Sequence, residues 1–474
     1  LRERKASRLN ELDRNLPILF VGSYAEPEPI GGNRTLSLQA VNLRALGIPA
    51  EIFTWPINDT WRGPVPNVSS LRLAGQPYLH VERWGIPYHV ASLPKIWSER
   101  ILAEKEWGAA VAWGMQALSE LRPRLVHQQF WQNLWWMMEA AIRLGIPVAY
   151  SAHDYGIACL RTILVNGWDT LCDGVVAVSK CSRCILAGRN LLGKANEWVA
   201  SLPLADRLLS LAFGSNADGP LARAGGVRLP VKERVALTIK RCRRVFNQLD
   251  ALIVTTPFAR DFFIQFGTPS DRIHIMPWFH AQDLLLQELP KNWDSLCIGL
   301  ITRISPEKGV HIVLEALRQV KASKPILLKI AGSPDNAYAQ DLMRRFPESS
   351  GNNRVQWCGW ISGERLPDFY KDVHVVAVPS LWYDNAPLAM IEALAHGRPV
   401  ICSDVPSMTH LVQHEVNGLV FPMGDTVALA HQIERLAGSP ELVRQLAKRT
   451  RNVMSAIEYA KRLGSVYQAI LKIR

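Results

Sequence analysis

Short apolar runs alternate with amphipathic segments along this chain, twice over, and few architectures accept that pattern. The first series opens at Ile18-Leu-Phe-Val-Gly22, an apolar run bounded by Pro17 and Gly22. Gly31-Gly32 follows, then Leu36, Ala40, Leu43 and Leu46 at near-helical spacing, closed by Gly47. Glu51–Trp55 reads as the next strand. The same order recurs as strand Leu125–His127, helix Trp131–Leu144 ended by Gly145, and strand Val148–Ser151. After a basic helical segment at Lys232–Phe246 come strand Ala251–Val254, helix Phe258–Phe266 and strand Ile273–Met276.

Pro290–Asp294 is a polar break, and a second series starts behind it. Its strands are Leu296–Ile301, Ile326–Ile330, Val373–Val378 and Val400–Cys402. Its helices are Gly309–Val320, Tyr338–Phe346, Leu366–Tyr370 and Leu388–His396. Strands alternating with helices imply an α/β class with doubly wound parallel sheets. Two series imply two Rossmann-like domains, 1–290 and 291–455, with an insertion at about 155–230 that breaks the alternation. Ligands of such sheets bind outside the carboxyl ends of the strands, so the loops there are searched first.

Composition excludes little. No run of 18 or more apolar residues is present, so an ordinary membrane-spanning helix is not expected. No basic-then-apolar leader opens the sequence, and eight cysteines in 474 residues suit a reducing cytoplasm better than a disulfide scaffold. The net charge of +12 points to anionic company: nucleic acid, anionic lipid or a phosphate-bearing ligand.

Four motifs carry chemistry. Val378 to Ile401 reads as strand, loop, helix, strand. Asp384 and Asn385 suit a helix N-cap, Pro387 the first helical turn, and Leu388, Ile391 and Leu394 the buried stripe. Free amides near Pro387, Leu388 and Ala389 could hold a phosphate, with Asp384 and Glu392 on either side accepting hydroxyl hydrogen bonds from sugars. The plainer alternative is a capping Asp384 and a solvated Glu392. Second, Arg303 and Lys308 fall in a loop between strand and helix, where a planar fork and a point charge suit a diphosphate; two exposed surface cations is the alternative. Third, Gly31-Gly32 allows close approach of backbone to a ligand, or is an ordinary loop. Neither a G-x-G-x-x-G fingerprint nor a Walker sequence occurs. Fourth, His153 ends a strand and projects toward the ligand edge, or is structural.

In order and spacing these pieces resemble the retaining glycosyltransferases of the GT-B fold, family 4 (glycosyl transferases group 1). Thr302-Arg303-Ile-Ser-Pro-Glu-Lys308-Gly309 is similar to the family's G-R-x-x-x-x-K-G loop, with Thr302 for Gly. Ala331-Gly332, Gly359-Trp360-Ile361, Val416-Asn417-Gly418-Leu419 and Gly424-Asp425 match its further loops. Asp384 to Glu392 matches E-x-x-x-x-x-x-x-E, with Asp for the first Glu. Gly32 and His153 sit where the family has its glycine loop and cleft histidine.

The resemblance implies two Rossmann-like domains whose parallel sheets face each other across a cleft, with a last helix, 456–474, crossing back to the N-terminal domain. It implies a nucleotide-sugar donor and a glycan or lipid-linked acceptor, with retention of anomeric configuration and no metal. Arg303 and Lys308 would hold the donor diphosphate, Glu392 the ribose, and Asp384 the transferred sugar's hydroxyls. Gly332, Trp360 and Ile361 would line the nucleotide side, Asn385 would stand beside Asp384, and backbone amides of Ala386, Leu388 and Ala389 would cradle phosphate beside Pro387. Gly32 would let its loop close over the substrates, and His153 would contact the sugar near the reacting carbon. Asp384 is one methylene shorter than Glu, so its carboxylate sits about 1.5 Å back.

Three features remain outside that scheme. Cys159, Cys172, Cys181 and Cys184 could bind a structural zinc ion, or be four reduced thiols. Lys240–Arg244 is a solvated helix face, or a contact for an anionic acceptor or an anionic membrane at its inner face. Trp131, Trp135 and Trp136 share one helix and read as core rather than as a sugar platform. Two rivals stand beside the enzyme reading: a catalytically impaired GT-B nucleotide-binding scaffold, and a nucleic-acid binder. The second ranks last because the basic residues are dispersed.

Overall fold

A computed structural model describes residues 15–22, 32–54, 70–187 and 231–473. Within these it leaves out 84, 92, 95–96, 98–103, 130–133, 160, 162–163, 166–170, 281–286, 351–352, 386 and 451–452. The chain divides into two compact units. One comprises Leu1–Thr255, Ala259–Met276 and Ile457–Arg474; the other comprises Thr256–Phe258 and Pro277–Ala456.

The first unit is built on strands β1 (Ile18–Gly22), β2 (Ala50–Thr54), β3 (Ser70–Leu73), β4 (Gln76–Arg83), β5 (Ile86–Ala91), β6 (Leu125–Gln128), β7 (Val148–Ser151), β8 (Ala251–Val254) and β9 (Ile273–Ile275). They form one sheet in the order β3-β4-β5-β2-β1-β6-β7-β8-β9. Every pairing from β5 to β9 is parallel. The central strands are buried along their whole length, which is why they read as unbroken apolar runs. The β3–β5 meander is antiparallel and escaped the sequence reading. Its turns are marked only by left-handed residues, Ala74 with Gly75 and then Gly85.

The second unit holds β10 (Phe279–His280), β11 (Leu296–Ile301), β12 (Ile326–Ala331), β13 (Ser349–Ser350), β14 (Asn353–Gly359), β15 (Val375–Val378), β16 (Val400–Ser403), β17 (Gly418–Phe421) and β18 (Met454–Ser455). Seven of them form a sheet, β13-β14-β12-β11-β15-β16-β17, parallel except at β13–β14. Leu296, Ile298, Leu300, Ile326, Leu328 and Ile330 join helix Val310–Gln319 and helix Thr426–Gly438 in its core.

The sequence reading divides the chain at 290, whereas the contacts divide it at Met276/Pro277. Residues 277–280 and 287–290 are tied to the second unit. There β10 pairs with β18, and the buried Arg398 donates to the carbonyls of Gln287 (3.3 Å) and Glu288 (2.8 Å). Residues 188–230, most of the expected insertion, lie outside the described residues.

Candidate functional site

In the second unit the loops after β11 and β15 meet, and glycine makes the meeting possible. Gly309 has φ 70°, and a Cβ there would lie 1.9 Å from the carbonyl oxygen of Pro379. A side chain would therefore be strained in conformation and blocked in space. Gly332 backs the same loop, since its Cβ would lie 2.3 Å from the carbonyl oxygen of Thr302. The Leu381 N–H donates to the Glu307 carbonyl at 2.8 Å and joins the two loops.

This contact brings Lys308 to Asp384. Lys308 Nζ lies 2.5 Å from Asp384 Oδ2, and Ser380 Oγ donates to that same oxygen at 2.9 Å. Nζ also stands 5.1 Å from the centre of the Trp382 ring. Asp384, Ser380 and Trp382 are all buried. Arg303 sits at the loop's outer side, 69% exposed, with its guanidinium 2.7 Å from Glu307 Oε1. Burial raises the Glu307 pKa, but hydrogen bonds from Ser305, its own backbone N–H and Arg303 outweigh it, so the carboxyl lies below its ordinary range.

Helix Leu388–Ala395 starts beside this cluster. Pro387 occupies its N-cap position rather than the first turn, and no side chain caps it. Asp384 is spent on Lys308 and Ser380, so the capping role open to it in the sequence is not the one it takes. The helix start thus presents backbone N–H groups without a side-chain cap. Glu392 is half-buried rather than solvated, and accepts from the Tyr370 hydroxyl at 3.2 Å. Burial, then the Glu392 charge, push the Tyr370 pKa well up, so the phenol stays a donor. Asn385 is buried beside Asp384, and Ala386 lies outside the described residues. Trp360, 49% exposed, and the half-buried Ile361 follow β14 at the same sheet edge. There the Gly332 N–H donates to the Gly359 carbonyl at 2.8 Å.

Gly32 and His153 belong to the first unit. Gly32 opens helix Gly32–Ala45 after β1; Gly31 lies outside the described residues. His153 follows β7, and its Nε2 lies 3.0 Å from Gln129 Oε1. The Gln129 amide also reaches Gln39 and His127. His127 in turn meets Ser151 at 2.9 Å and Tyr467 of the last helix at 2.5 Å. Burial lowers both histidines to about 3, so both are neutral at physiological pH. Sequence reading named His153 alone and missed its buried polar neighbours.

The features outside the scheme resolve as follows. Cys159, Cys172, Cys181 and Cys184 line one cavity of about 200 Å³, with Asp173 and Lys180 paired at its edge. Among the described residues no three His, Cys, Asp or Glu side chains are grouped to hold a metal ion, and the four cysteines are unbridged. Of the basic run Lys240, Arg243 and Arg244 are exposed, in keeping with a solvated helix face, and Arg241 alone turns inward. Arg241 is buried, paired with Glu104 at 3.1 Å and set over Trp107, while Arg244 pairs with Glu139 at 2.6 Å. Trp135 and Trp136 are core; Trp131 lies outside the described residues. Among the described residues no helix is long and apolar enough to cross a membrane.

Two α/β units built on mainly parallel sheets, with two cations in the loop after a strand beside a helix start that no side chain caps, define an α/β protein of the doubly wound class. Family models place it further: "Glycosyl transferase 4-like domain" matches residues 31–278, and "Glycosyl transferases group 1" matches residues 282–453. The chain belongs to this glycosyltransferase family and has its GT-B fold. It is similar to an uncharacterized glycosyltransferase of Methanocaldococcus jannaschii, 29% identical over 178 residues, covering 34% of this chain and 45% of the relative. The chain thus spans about half the length of the curated relatives it matches. Sucrose-phosphate synthase of Thermosynechococcus elongatus shares the fold at 17% identity and TM-score 0.62, covering 97% of this chain and all of that one. HepE of Anabaena, solved with UDP-glucose, does so at 15% identity and TM-score 0.59, covering 96% and 100%.

Proposed function

We propose that the protein transfers a sugar from a nucleotide-sugar donor to a glycan or lipid-linked acceptor, with retention at the anomeric carbon and without a metal ion. The observation that carries this is the Arg303–Lys308 loop, held by Gly309 against Ser380–Asp384 beside the uncapped start of helix Leu388–Ala395. Family membership and the UDP-glucose bound by HepE support the choice of ligand.

In the reaction the bond from the anomeric carbon to the diphosphate oxygen breaks. Negative charge gathers on the leaving nucleoside diphosphate and positive charge on the sugar. Arg303 and Lys308 would stabilise the first, aided by the N–H groups of Leu388 and Ala389. The acceptor oxygen would bond to the same face, and its proton would pass to the leaving phosphate. Glu392, held by Tyr370, would accept from the ribose hydroxyls. Trp360 and Ile361 would border the base, and Gly32 would allow loop closure. His153, neutral and held by Gln129, would donate or accept a hydrogen bond at the sugar without adding charge. The reading places the work in the cytoplasm, where free thiols persist, with an acceptor that could lie at a membrane's inner face.

Thermal denaturation against UDP-, GDP-, ADP- and TDP-sugars tests it, because a ligand that binds only the folded state raises its stability. One class should stabilise the protein and release nucleoside diphosphate on turnover, and NMR of the product should show the donor's anomeric configuration. Binding without turnover would favour the impaired scaffold.

A further inference from the structure

The residue that departs from the family pattern has a partner of its own. Asp384 stands where the resemblance expects a glutamate reading the sugar. Here its Oδ2 takes two bonds, 2.5 Å to Lys308 Nζ and 2.9 Å to Ser380 Oγ. Its side chain is only 7% exposed, so it offers little surface to a sugar hydroxyl. Ser380 is 1% exposed and lies in the loop that Gly309 touches at Pro379, so the anchor under the carboxylate is itself fixed. The Lys308 side chain, 18% exposed, has the carboxylate on one side and the Trp382 ring 5.1 Å away on another. The ammonium has few other places to go.

Resting on the donor-site reading above, we propose that Asp384 is a positioning residue for Lys308. Anchored by Ser380, it parks the ammonium at the diphosphate position and acts on the nucleotide through that lysine, rather than by reading the transferred sugar. The shorter side chain explains the change of role. A glutamate would carry its carboxylate about 1.5 Å further out, away from Ser380. An aspartate keeps it against the loop. The same carboxylate places a negative charge beside the incoming diphosphate, so it sets the lysine's position at the cost of some electrostatic attraction.

The two roles separate by ligand. A sugar reader matters only when the sugar is present, whereas a lysine positioner matters equally for the bare nucleoside diphosphate. Kd is measured by calorimetry for UDP and UDP-glucose, GDP and GDP-mannose, ADP and ADP-glucose, and TDP and TDP-glucose. The pair that binds the unaltered protein is then used with Asp384→Asn. Both members of that pair should weaken by the same several-fold factor, because Lys308 is no longer held at the diphosphate position; a tightening of both would make Asp384 a competitor for the lysine and overturn the proposal. Ser380→Ala, a smaller change that keeps both charges, should move both ligands together and by less. In a Lys308→Met background, Asp384→Asn should no longer weaken either ligand. A shift confined to the nucleotide sugar would make Asp384 a sugar reader and overturn the proposal. A shift in neither ligand, or one that survives in the Lys308→Met background, would overturn it equally. If no nucleotide of the panel binds the unaltered protein, the donor-site reading fails first and takes this proposal with it. Melting curves of both variants show whether they are folded.

Discussion

The two units treat charge in opposite ways. In the second unit Arg303 pairs with Glu307 within one loop and Lys308 with Asp384 across two, and Arg303 stays 69% exposed. In the first unit the groups around His153 are buried, and the two histidines are held neutral. Bringing an ionised group out of water costs several kcal/mol unless it is paired, and the cations proposed to meet the diphosphate are each held by a carboxylate, one exposed and one largely buried. A site meant for neutral hydroxyls can be sunk in the sheet edge and wired by amides and hydroxyls. The contrast predicts that the histidine network of the first unit adds a pH-dependent stability that the paired cations of the second do not match, while removing those cations acts first on ligand binding.

The largest effect should come from the cations. Arg303→Ala and Lys308→Met each remove charge-assisted contacts worth about 1.5–3 kcal/mol, so the nucleotide-sugar Kd should rise roughly tenfold or more. The melting temperature without ligand should barely move for Arg303→Ala. Equal binding by variant and unaltered protein would break the contrast at its strongest point.

The histidines give the next test. An unfolded histidine titrates near 6.5, while His127 and His153 in the fold titrate at about 3. Between these values the unfolded chain binds protons that the folded chain refuses, so stability rises with pH. It is fully present above about 6.5 and is lost as the pH falls toward 3. Each histidine should add a slope of up to about 1.4 kcal/mol per pH unit well below 6.5. Urea denaturation between pH 7 and 5 should show this loss, and His153→Gln should flatten it. A flat profile in the unaltered protein would mean that these rings are not buried as neutral groups.

How much of this could be read from the chain follows the same line. Arg303, Lys308 and Gly309 were legible because one strand-loop-helix turn carries them in order. The partner of Lys308 was not, because Asp384 lies 76 positions away and only folding joins them. Tyr467, 340 positions from His127, was beyond any spacing argument. The basic run was read as a solvated face, which holds for Lys240, Arg243 and Arg244 but not for Arg241. Arg241 falls at helical spacing with Arg234, Thr238 and Val245, all buried, and that periodicity marked it as inward. The β3–β5 meander was missed because its turns rest on left-handed residues rather than on a loud Asn-Gly or Pro signal.

Gly309→Ala probes the joint rather than the charges. A methyl group would strain the left-handed backbone and meet the Pro379 carbonyl, costing about 1–3 kcal/mol of stability and displacing Lys308 from Asp384. It should be the donor-loop substitution that moves melting temperature and nucleotide affinity together. If only one of the two moves, the loops are not joined through this contact.

The smallest effect should come from Glu307→Gln. Its partner Arg303 is mostly in water, so the pair is screened and worth about 0–1 kcal/mol. Its carboxyl lies below its ordinary range, so its contribution is present above that range and fades as the pH falls through the lowered value. Stability of the variant and the unaltered protein should therefore differ slightly at pH 7 and converge in acid, the same sense as the histidine effect but much weaker. Removing this anion also frees Arg303, so nucleotide affinity should hold or improve while stability dips. A loss of stability comparable to that of His153→Gln would mean that the rim pair is as structural as the buried network, and the division between the units would fall.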